Sequence, residues 1–292
     1  MGLVDIETAA RLLRAGEVVA IPTETVYGLA ANALDEAAVR RVFALKGRPA
    51  DHPLILHARD PRPWAHFDAR AERLAVYWPG PLTLVLPRRA VPDVVTGGRD
   101  TVAVRVPGHP VALDLLDHLD FPLAAPSANR FGQVSPTTAA HVLQAFAVPV
   151  LDGGACGVGV ESTIVDLSRP QPSILRPGAI DADAVCLALG EELAPASDTP
   201  APGTLPSHYA PRARVVLVDH APPDSVALRR RAPADYARAL YAELRALDVQ
   251  GPEVIYAERC EPVGVGVAVN DRLERAAYSV RPPSTSTTRP VK

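Results

Sequence analysis

The chain has 292 residues, a formal net charge of −3 and a hydrophobic fraction of 48%, values typical of a globular protein with one large or two ordinary domains. No apolar run approaches the roughly 18–20 residues that a membrane-spanning helix needs. The N-terminus carries Asp5 and Arg11 where a signal peptide is apolar. The sequence therefore predicts a cytoplasmic protein without membrane contact, whose cysteines stay reduced: Cys156, Cys186 and Cys260.

The first predicted elements are a helix, a strand and a second helix. Residues 5–15 have helical spacing, and residues 17–21 form a short apolar run that predicts a strand. The polar stretch 22–34 predicts a loop. A helix is then expected to begin after Asp35, a good N-cap, and to end at Gly47.

Short apolar runs and helical patterns alternate over the next part of the chain. The predicted strands are 54–57, 82–87, 102–107, 121–126, 149–152 and 162–167. The clearest helices are 71–78, 110–119 and 137–146, the last with Ser135 as its cap and Pro136 in its first turn. These elements predict an α/β (α+β) domain over residues 1–193, centred on a twisted mixed sheet.

A change of composition predicts a second, smaller domain. Residues 194–211 are rich in Pro, Ser and Thr, which is typical of a linker. Beyond them, the apolar runs and the helical pattern predict a small α/β domain over 212–280; its elements are 213–219, 234–248, 253–258 and the Gly- and Val-rich run 263–269. Residues 281–292 are predicted to be disordered.

The choice of basic residues singles out one lysine. Of the 30 basic residues 28 are Arg, and Lys46 is the only Lys besides the terminal Lys292. Asn is equally rare, with Asn129 as one of three. Because Lys is a compact point charge and Arg a flat bidentate fork, Lys46 and Asn129 are candidates for a specific role, although chance retention of a surface Lys remains an alternative.

Four polar clusters follow predicted strands. They lie at residues 22–28, 46–57, 125–129 and 153–163, with Arg176 shortly after the last. Each cluster alone is also consistent with ordinary turn chemistry. The chain contains no GxxxxGK[ST] phosphate loop, no GxSxG elbow and no HExxH motif, and a zinc site on His52 and His57 is not favoured by their spacing.

Taken together, the clusters resemble a known family, the YrdC-like threonylcarbamoyl-AMP synthases. The resemblance covers residues 5–180 and rests on seven strings in order: PTETVYGLAANAL, LKGRPADHPLILH, WPGPLTLVL, TVAVRVPGHP, AAPSANRFGQVSPT, GVESTIVDL and ILRPGAI. The later strings SHYAP and VGVAVNDRLERAA are similar to the long, two-domain form of that family.

The resemblance implies a mixed, largely parallel sheet that encloses a large, positively charged cavity. It also implies a nucleotidyltransferase reaction, in which L-threonine, bicarbonate and ATP give L-threonylcarbamoyl-AMP and pyrophosphate for threonylcarbamoyladenosine modification of tRNA. Threonine and bicarbonate would form a carbamate whose oxygen attacks the α-phosphorus of ATP. Such a labile intermediate needs enclosure more than it needs a protein nucleophile.

Motif matching then implies the roles of individual residues. The threonine pocket falls on Thr25, His57, Arg105, Ala125 and Ser162. The ATP contacts fall on Arg48, His52, Ser127, Ser135 and Arg176. The catalytic set falls on Lys46, Arg48, Ser127 and Asn129. Mg²⁺ is expected to arrive with ATP rather than on protein ligands, and the product is expected to pass to the tRNA threonylcarbamoyl transferase.

Two departures from the family pattern affect the ATP side. His52 stands where the family more often has Asn. The stretch directly before the HYAP string, residues 203–207, reads GTLPS and lacks the Tyr that the family often has there. His208 and Tyr209 are the candidate substitutes, and the linker is predicted to cover the cavity as a lid.

The alternative interpretation is an RNA-binding YrdC-like protein without this activity. A chain with net charge −3 has no general attraction for polyanions. Its densest basic run, residues 229–231, is more typical of a solvated face, so only a weak RNA contact is expected. A hydrogenase-maturation carbamoyltransferase would add zinc-finger cysteines and an acylphosphatase region, which this sequence does not contain.

Overall fold

The structure is a computed structural model that describes residues 2–278 of the chain. The predicted disordered tail, 281–292, lies outside the described residues, as do the last two residues of the predicted small domain. Within residues 2–278, no helix combines the length and the apolar character needed to cross a bilayer.

A ten-stranded mixed sheet forms the centre of the larger part. Its strands are β1 Leu3–Val4, β2 Val19–Ile21, β3 Gly28–Asn32, β4 Ile55–His57, β5 Leu82–Pro87, β6 Thr101–Arg105, β7 Leu123–Ala124, β8 Val150–Leu151, β9 Thr163–Asp166 and β10 Ser173–Arg176. Their order is β1-β8-β2-β3-β7-β4-β6-β5-β9-β10. Four pairs are parallel (β1·β8, β2·β8, β4·β6, β5·β9) and the other five are antiparallel, so the predicted mixed sheet is confirmed.

Seven helices among the described residues pack around this sheet. They are α1 Ile6–Arg14, α2 Glu36–Lys46, α3 Ala69–Leu74, α4 Asp93–Thr96, α5 Pro110–Asp117, α6 Ala139–Ala145 and α7 Ala182–Leu189. Their apolar faces and the strands between them form separate buried clusters on the two faces of the sheet.

Helix α2 has the boundaries that its sequence predicts. The Asp35 carboxylate accepts hydrogen bonds from two backbone N–H groups of the first turn, at 2.9 and 3.1 Å, which satisfies donors that a helix start leaves free. Gly47 ends the helix with φ 63°, in the left-handed region that favours glycine. These two ends place Lys46 in the last turn, beside the residues that follow β7.

The prediction of a loop over residues 22–34 is wrong in its second half. Strand β3 occupies Gly28–Asn32 and pairs antiparallel with β2, with Ala30 opposite Val19. Its sequence, GLAAN, has low intrinsic strand propensity. The strand forms because its small side chains fit the fully buried centre of the sheet, a tertiary effect that local sequence does not reveal.

The prediction that Ser135 caps helix α6 is also wrong. The helix begins at Ala139, and Thr138 is its N-cap, accepting from the His141 N–H at 3.3 Å. Ser135 is fully buried, and its hydroxyl donates instead to the Glu161 carboxylate at 2.6 Å.

The predicted small α/β unit is present as a three-stranded parallel sheet with two helices. Its elements are β11 Arg214–Val218, β12 Ala227–Leu228, α8 Pro233–Val249, β13 Val254–Glu258 and α9 Val265–Ala277, in the sheet order β11-β13-β12. Most of the Gly- and Val-rich run 263–269 is the start of α9.

The two parts share one apolar cluster. Tyr209 of the linker and Val160 of the larger part pack with Tyr241 of α8 and Leu273 of α9. Gly159 lies so close to α8 that a Cβ there would be 2.3 Å from the Ala237 carbonyl oxygen. The small domain is therefore packed directly behind the linker.

Candidate functional site

Residues of the polar clusters that follow the strands of the large sheet line one cavity. It contains about 620 Å³ of non-atom space, part of it open to solvent. Nine of the predicted site residues line it: Thr25, Lys46, Arg48, His57, Arg105, Ala125, Ser127, Ser162 and Arg176. Four of these side chains are cationic, so the cavity suits anionic ligands.

Arg105 and Thr25 define one end of the cavity. The Arg105 guanidinium donates to the Thr25 hydroxyl at 3.0 Å, to the Glu24 carboxylate at 2.6 Å and to the Gly80 carbonyl at 3.1 Å. The arginine side chain is only 4% exposed. Its position is therefore fixed before any ligand binds.

His57 lies beside Arg105 because β4 and β6 are paired in register, with these two residues opposite each other. Burial and the neighbouring guanidinium lower the pKa of His57 to about 3. The imidazole is therefore neutral at physiological pH.

Lys46 also lines the cavity. Its ammonium donates to the backbone carbonyl oxygens of Ser127 and Asn129, at 2.5 and 2.6 Å. Burial and the positive charge of Arg48 hold the pKa of Lys46 well below its usual range. An anion bound here would relieve that penalty by supplying the missing counter-charge.

Arg48 has the least satisfied guanidinium of the cavity. One Nη donates to the Pro53 carbonyl oxygen at 2.9 Å, and the group lies 5.8 Å from the centroid of the Phe131 ring. Its Nε is buried and has no hydrogen-bond partner among the described residues. Burial lowers the pKa of Arg48 only to about 10, so it keeps its charge at neutral pH.

Arg176 connects the large sheet to the linker. Its guanidinium donates to the Ser162 carbonyl oxygen at 2.9 and 3.1 Å and to the Ser162 hydroxyl at 3.1 Å. A further N–H donates to the Pro202 carbonyl oxygen at 2.9 Å. The linker is thus held against the cavity wall by a side chain that also lines the cavity.

Glu161 is the one carboxylate among the described residues that line the cavity. Its oxygens accept hydrogen bonds from Ser135 at 2.6 Å, from Tyr241 at 2.9 Å and from Arg272 at 2.9 Å. Burial alone would raise its pKa, but Arg272 and Arg176 lower the pKa of Glu161 to about 2. It is therefore an ionised structural anion whose two oxygens both accept hydrogen bonds from the protein.

The linker closes one side of the cavity through Pro202, Gly203, His208 and Tyr209. His208 Nδ1 and the Tyr209 hydroxyl are buried without a partner among the described residues. Burial is the main reason that the pKa of His208 falls to about 3 and that of Tyr209 rises to about 12. Both groups are neutral and available to a polar ligand.

Three predicted site residues lie outside the cavity lining. The Asn129 side chain donates to the carbonyl oxygens of Arg130 and Gln133, both at 2.8 Å, so it shapes the loop whose backbone binds Lys46. Ser135 holds Glu161. His52 packs edge-on against Phe131, with the ring centroids 5.6 Å apart.

Sequence reasoning missed the central position of Glu161. It was visible within the string GVESTIVDL, but its partner Arg272 is 111 residues away, and no local signal connects them. Phe131 was equally unmarked, whereas Pro202 and Gly203 belong to the linker that was predicted to cover the cavity. Apolar and backbone groups become site components only through the fold.

No side-chain metal centre is evident in the part of the chain that the structure describes. Residues 2–278 contain no group of three His, Cys, Asp or Glu side chains placed to hold an ion. All three cysteines are unpaired, and Cys156 and Cys260 are buried.

The buried neutral histidines predict acid sensitivity of the fold. In the unfolded chain His57 and His208 become protonated below about pH 6.5, but in the folded protein they stay neutral down to about pH 3. Their contribution to the free energy of unfolding is therefore fully present above pH 6.5 and decreases as the pH falls. At pH 5 each histidine is expected to cost about 2 kcal/mol of the free energy of unfolding, at about 1.36 kcal/mol per pKa unit.

Urea unfolding at pH 7.5 and 5.0 measures this effect. His57→Gln and His208→Gln should each reduce the difference between the two pH values, while the exposed His66→Gln should not. Glu161 does not interfere, because its lowered pKa changes stability only below about pH 4.5. Equal pH dependence in all four proteins would contradict the prediction.

Comparisons with known proteins agree with both parts of the chain. Residues 11–178 match the family of Sua5, YciO and YrdC described as "Telomere recombination", and residues 179–278 match "Threonylcarbamoyl-AMP synthase, C-terminal domain". The chain is 42% identical to the threonylcarbamoyl-AMP synthase of Pyrococcus abyssi over 93% of this chain and 94% of that protein. It is 38% identical to that of Bacillus subtilis, over 93% and 92%. The crystal structure of P. abyssi Sua5 complexed with L-threonine superimposes with a TM-score of 0.87 at 42% identity, covering 93% of this chain and 94% of that one.

Proposed function

The chain belongs to the threonylcarbamoyl-AMP synthase family in its two-domain form, and we propose that the cavity described above is where it makes L-threonylcarbamoyl-AMP from L-threonine, bicarbonate and ATP. The observation that carries this proposal is the set of four cationic side chains that line one cavity, of which Arg48 keeps a buried donor free. Such a donor set fits a triphosphate and a carboxylate together.

We assign the threonine to the end of the cavity with Arg105. Two N–H groups of its guanidinium remain for a substrate carboxylate after those given to Thr25, Glu24 and Gly80 are counted. The Thr25 and Ser162 hydroxyls, neutral His57 and the backbone at Ala125 line the same cavity. The solved complex of P. abyssi Sua5 with L-threonine supports threonine as a ligand.

We assign ATP to the end with Lys46, Arg48, Ser127 and Arg176. Lys46 and Arg48 supply charge for the phosphates, and the neutral His208 and Tyr209 supply polar groups on the linker side. Asn129, Ser135 and His52 support this end indirectly, through the loop at Lys46, through Glu161 and through Phe131.

The reaction follows from this arrangement. The threonine amine and bicarbonate lose water to form a carbamate, whose oxygen attacks the α-phosphorus of ATP while pyrophosphate leaves. Lys46 and Arg48 stabilise the negative charge that develops on the phosphates. The linker side excludes water and so protects the carbamate, which needs positioning rather than a protein nucleophile.

Mg²⁺ is proposed to arrive with the triphosphate. Glu161, the cavity carboxylate, has both oxygens engaged by protein donors, so the lining residues fit a metal carried by ATP better than one held by protein ligands. When bound, the ion would neutralise part of the phosphate charge.

The enzyme that receives the product and the compartment of the cell are also proposals. The product would pass to a tRNA threonylcarbamoyl transferase, and the protein would act in the cytoplasm. A weak RNA contact receives little support, because Arg229 is paired with Glu258 and Arg231 with Glu243, which reduces the positive charge of the densest basic run.

Gly203→Ala tests whether the linker belongs to the ATP site. A Cβ at Gly203 would lie 2.1 Å from the Tyr209 hydroxyl oxygen and 3.1 Å from Arg176 Nη1, so the linker must shift. Gly251→Ala is the matched control, since Gly251 has a similar φ of 73° but open space around its Cβ position. Both variants should lose about 1–2 kcal/mol of stability from backbone strain.

Only Gly203→Ala should raise the KM for ATP, by about tenfold, since a displaced linker lowers the fraction of cavities competent to bind. Steady-state kinetics at varied ATP, with a melting curve for each variant, measures both effects. Equal KM values in the two variants would separate the linker from the ATP site.

Pyrophosphate release tests the proposed function directly. It should occur only when ATP, Mg²⁺, bicarbonate and threonine are all present, and it should stop when any one is omitted. Release without threonine would indicate a different acceptor, and a folded protein that binds tRNA but releases no pyrophosphate would favour the RNA-binding alternative.

A further inference from the structure

Helix α9 of the small domain contacts the linker at two points through Arg275. The Arg275 guanidinium donates to the carbonyl oxygens of Thr204 and Leu205, at 2.8 and 2.6 Å. The backbone carbonyl oxygen of Arg275 accepts from the His208 N–H at 3.3 Å. The contacts therefore lie within the linker stretch 202–209, whose two ends line the cavity.

Arg272, on the same helix, makes the third contact. Its guanidinium carbon lies 5.3 Å from the centroid of the Tyr209 ring, and it donates to Glu161 and to the Pro177 carbonyl oxygen, both at 2.9 Å. The Arg272 side chain is fully buried. One residue of the small domain thus touches the linker and the cavity wall together.

Asp271 joins the two arginines. Its carboxylate accepts from Arg272 at 2.5 Å and from Arg275 at 3.0 Å. Charge-assisted bonds of this kind fix the direction of both guanidinium groups. The three residues come from the string VGVAVNDRLERAA, which the proposed reaction leaves without a role.

The other end of the linker is held by the large sheet. The Asp166 carboxylate accepts from Ser197 at 3.1 Å and from Thr199 at 2.7 Å, and Arg176 binds the Pro202 carbonyl oxygen. The cavity-lining stretch therefore spans from an anchor on the larger part to one on α9.

Tyr209 shows that this stretch is held under constraint. It has φ 60°, a left-handed conformation that an aromatic residue rarely adopts. Such a conformation persists only where the surroundings impose it. Tyr241 of α8 stacks on the Tyr209 ring at 5.7 Å, and Arg272 lies against the same ring, so the small domain supplies the constraint.

We propose that Asp271, Arg272 and Arg275 form a clamp that positions the linker over the ATP side of the cavity. The clamp residues act through the linker and reach no substrate, so they are positioning residues. This inference rests on the proposed function, and it gives the small domain a role in the reaction itself.

The clamp predicts a selective defect. Loss of the Arg275 side chain removes the hydrogen bonds that hold Thr204 and Leu205, while Arg105 keeps its own hydrogen bonds. If the closed linker falls to about one tenth of the population, the apparent affinity for ATP falls about tenfold, whereas threonine affinity is unchanged.

Arg275→Gln tests the clamp because Arg275 is only partly buried and its loss leaves Glu161 paired with Arg272. Calorimetric titration with ATP alone should show about tenfold weaker binding, titration with threonine should be unchanged, and hydrogen exchange should rise in residues 202–209. Arg259→Gln is the control, since Arg259 pairs with Glu274 on the exposed side of the same helix. Arg275→Lys keeps a charged donor and should restore part of the ATP affinity.

Unchanged ATP affinity and unchanged linker exchange in Arg275→Gln would overturn the clamp, and so would equal losses in Arg259→Gln. If Arg275→Gln melts at a lower temperature, partial rescue by Arg275→Lys at equal melting temperature still supports the clamp. Because ATP binding is measured without threonine, a wild-type protein that binds ATP but forms no threonylcarbamoyl-AMP contradicts the proposed function and leaves the clamp standing.

Discussion

Lys46→Ala and Arg48→Ala are each expected to lower turnover by about 10²–10³-fold, the usual effect of removing one donor that stabilises developing charge. Each variant removes a buried cation from the same end of the cavity. The fold should survive, because Lys46 and Arg48 bind only backbone carbonyl oxygens and no buried anion is left without a partner.

The two variants should differ in their ATP binding. Arg48 has a free buried Nε and keeps its charge at neutral pH, so its loss should weaken ATP binding as well as turnover. Lys46 already binds two carbonyl oxygens, and burial together with the Arg48 charge lowers its pKa. Its loss should therefore affect turnover more than the KM for ATP.

Arg40→Ala is the matched control for both variants. Arg40 lies on α2 with Lys46, but its side chain is 63% exposed and pairs only with Glu36, so turnover should be unchanged. Pyrophosphate release under saturating substrates measures the effect. Near-normal rates in both Lys46→Ala and Arg48→Ala would contradict the assignment of the phosphates to this end.

Arg105→Ala is expected to raise the KM for threonine by about 10- to 100-fold, since a hydrogen bond to a charged group contributes about 1.5–3 kcal/mol and each 1.4 kcal/mol is a factor of ten. The KM for ATP should change by less than about twofold. The reason is that Arg105 binds Thr25 and Glu24, whereas Lys46 binds the backbone carbonyl oxygens of Ser127 and Asn129.

Arg59→Ala is the control for this second variant, since Arg59 follows β4 but forms only an exposed pair with Asp117. Removal of Arg105 also leaves the Glu24 carboxylate without its cation, so each variant needs a melting curve. Weakened ATP binding with normal threonine dependence would mean that the two ends of the cavity are assigned the wrong way round.

Local sequence signals predicted the elements whose ends are set by their own capping residues or whose apolar residues are regularly spaced. The Asp35 and Gly47 caps fixed α2, and with it the position of Lys46. In the small domain, β11, α8 and β13 were predicted from their regular apolar spacing, whereas the two-residue strand β12 was not.

Elements that depend on contacts with residues distant in the sequence were not predicted. Strand β3 has the composition of a loop and forms only because the sheet buries it. Ser135 has the chemistry of a helix cap, but the buried Glu161 offers it a stronger, charge-assisted partner. In both cases a tertiary contact outweighs the local preference.

In the candidate site, too, local signals identified some residues and tertiary contacts determined the rest. The rarity of Lys and Asn pointed to Lys46 and Asn129, and the structure places Lys46 in the cavity wall but Asn129 one layer behind it. The motifs named most cavity residues. They did not show that α9 reaches the linker, since that depends on how the two domains pack.

The most direct measurement for the proposed reaction is mass spectrometry of the product formed with ¹³C-bicarbonate, ATP, Mg²⁺ and threonine. We expect threonylcarbamoyl-AMP that is one mass unit heavier than with ordinary bicarbonate, with the label in the carbamoyl group, and about 10²–10³-fold less product from Arg48→Ala in the same time. A folded protein that binds ATP but incorporates no label would rule out the proposed reaction.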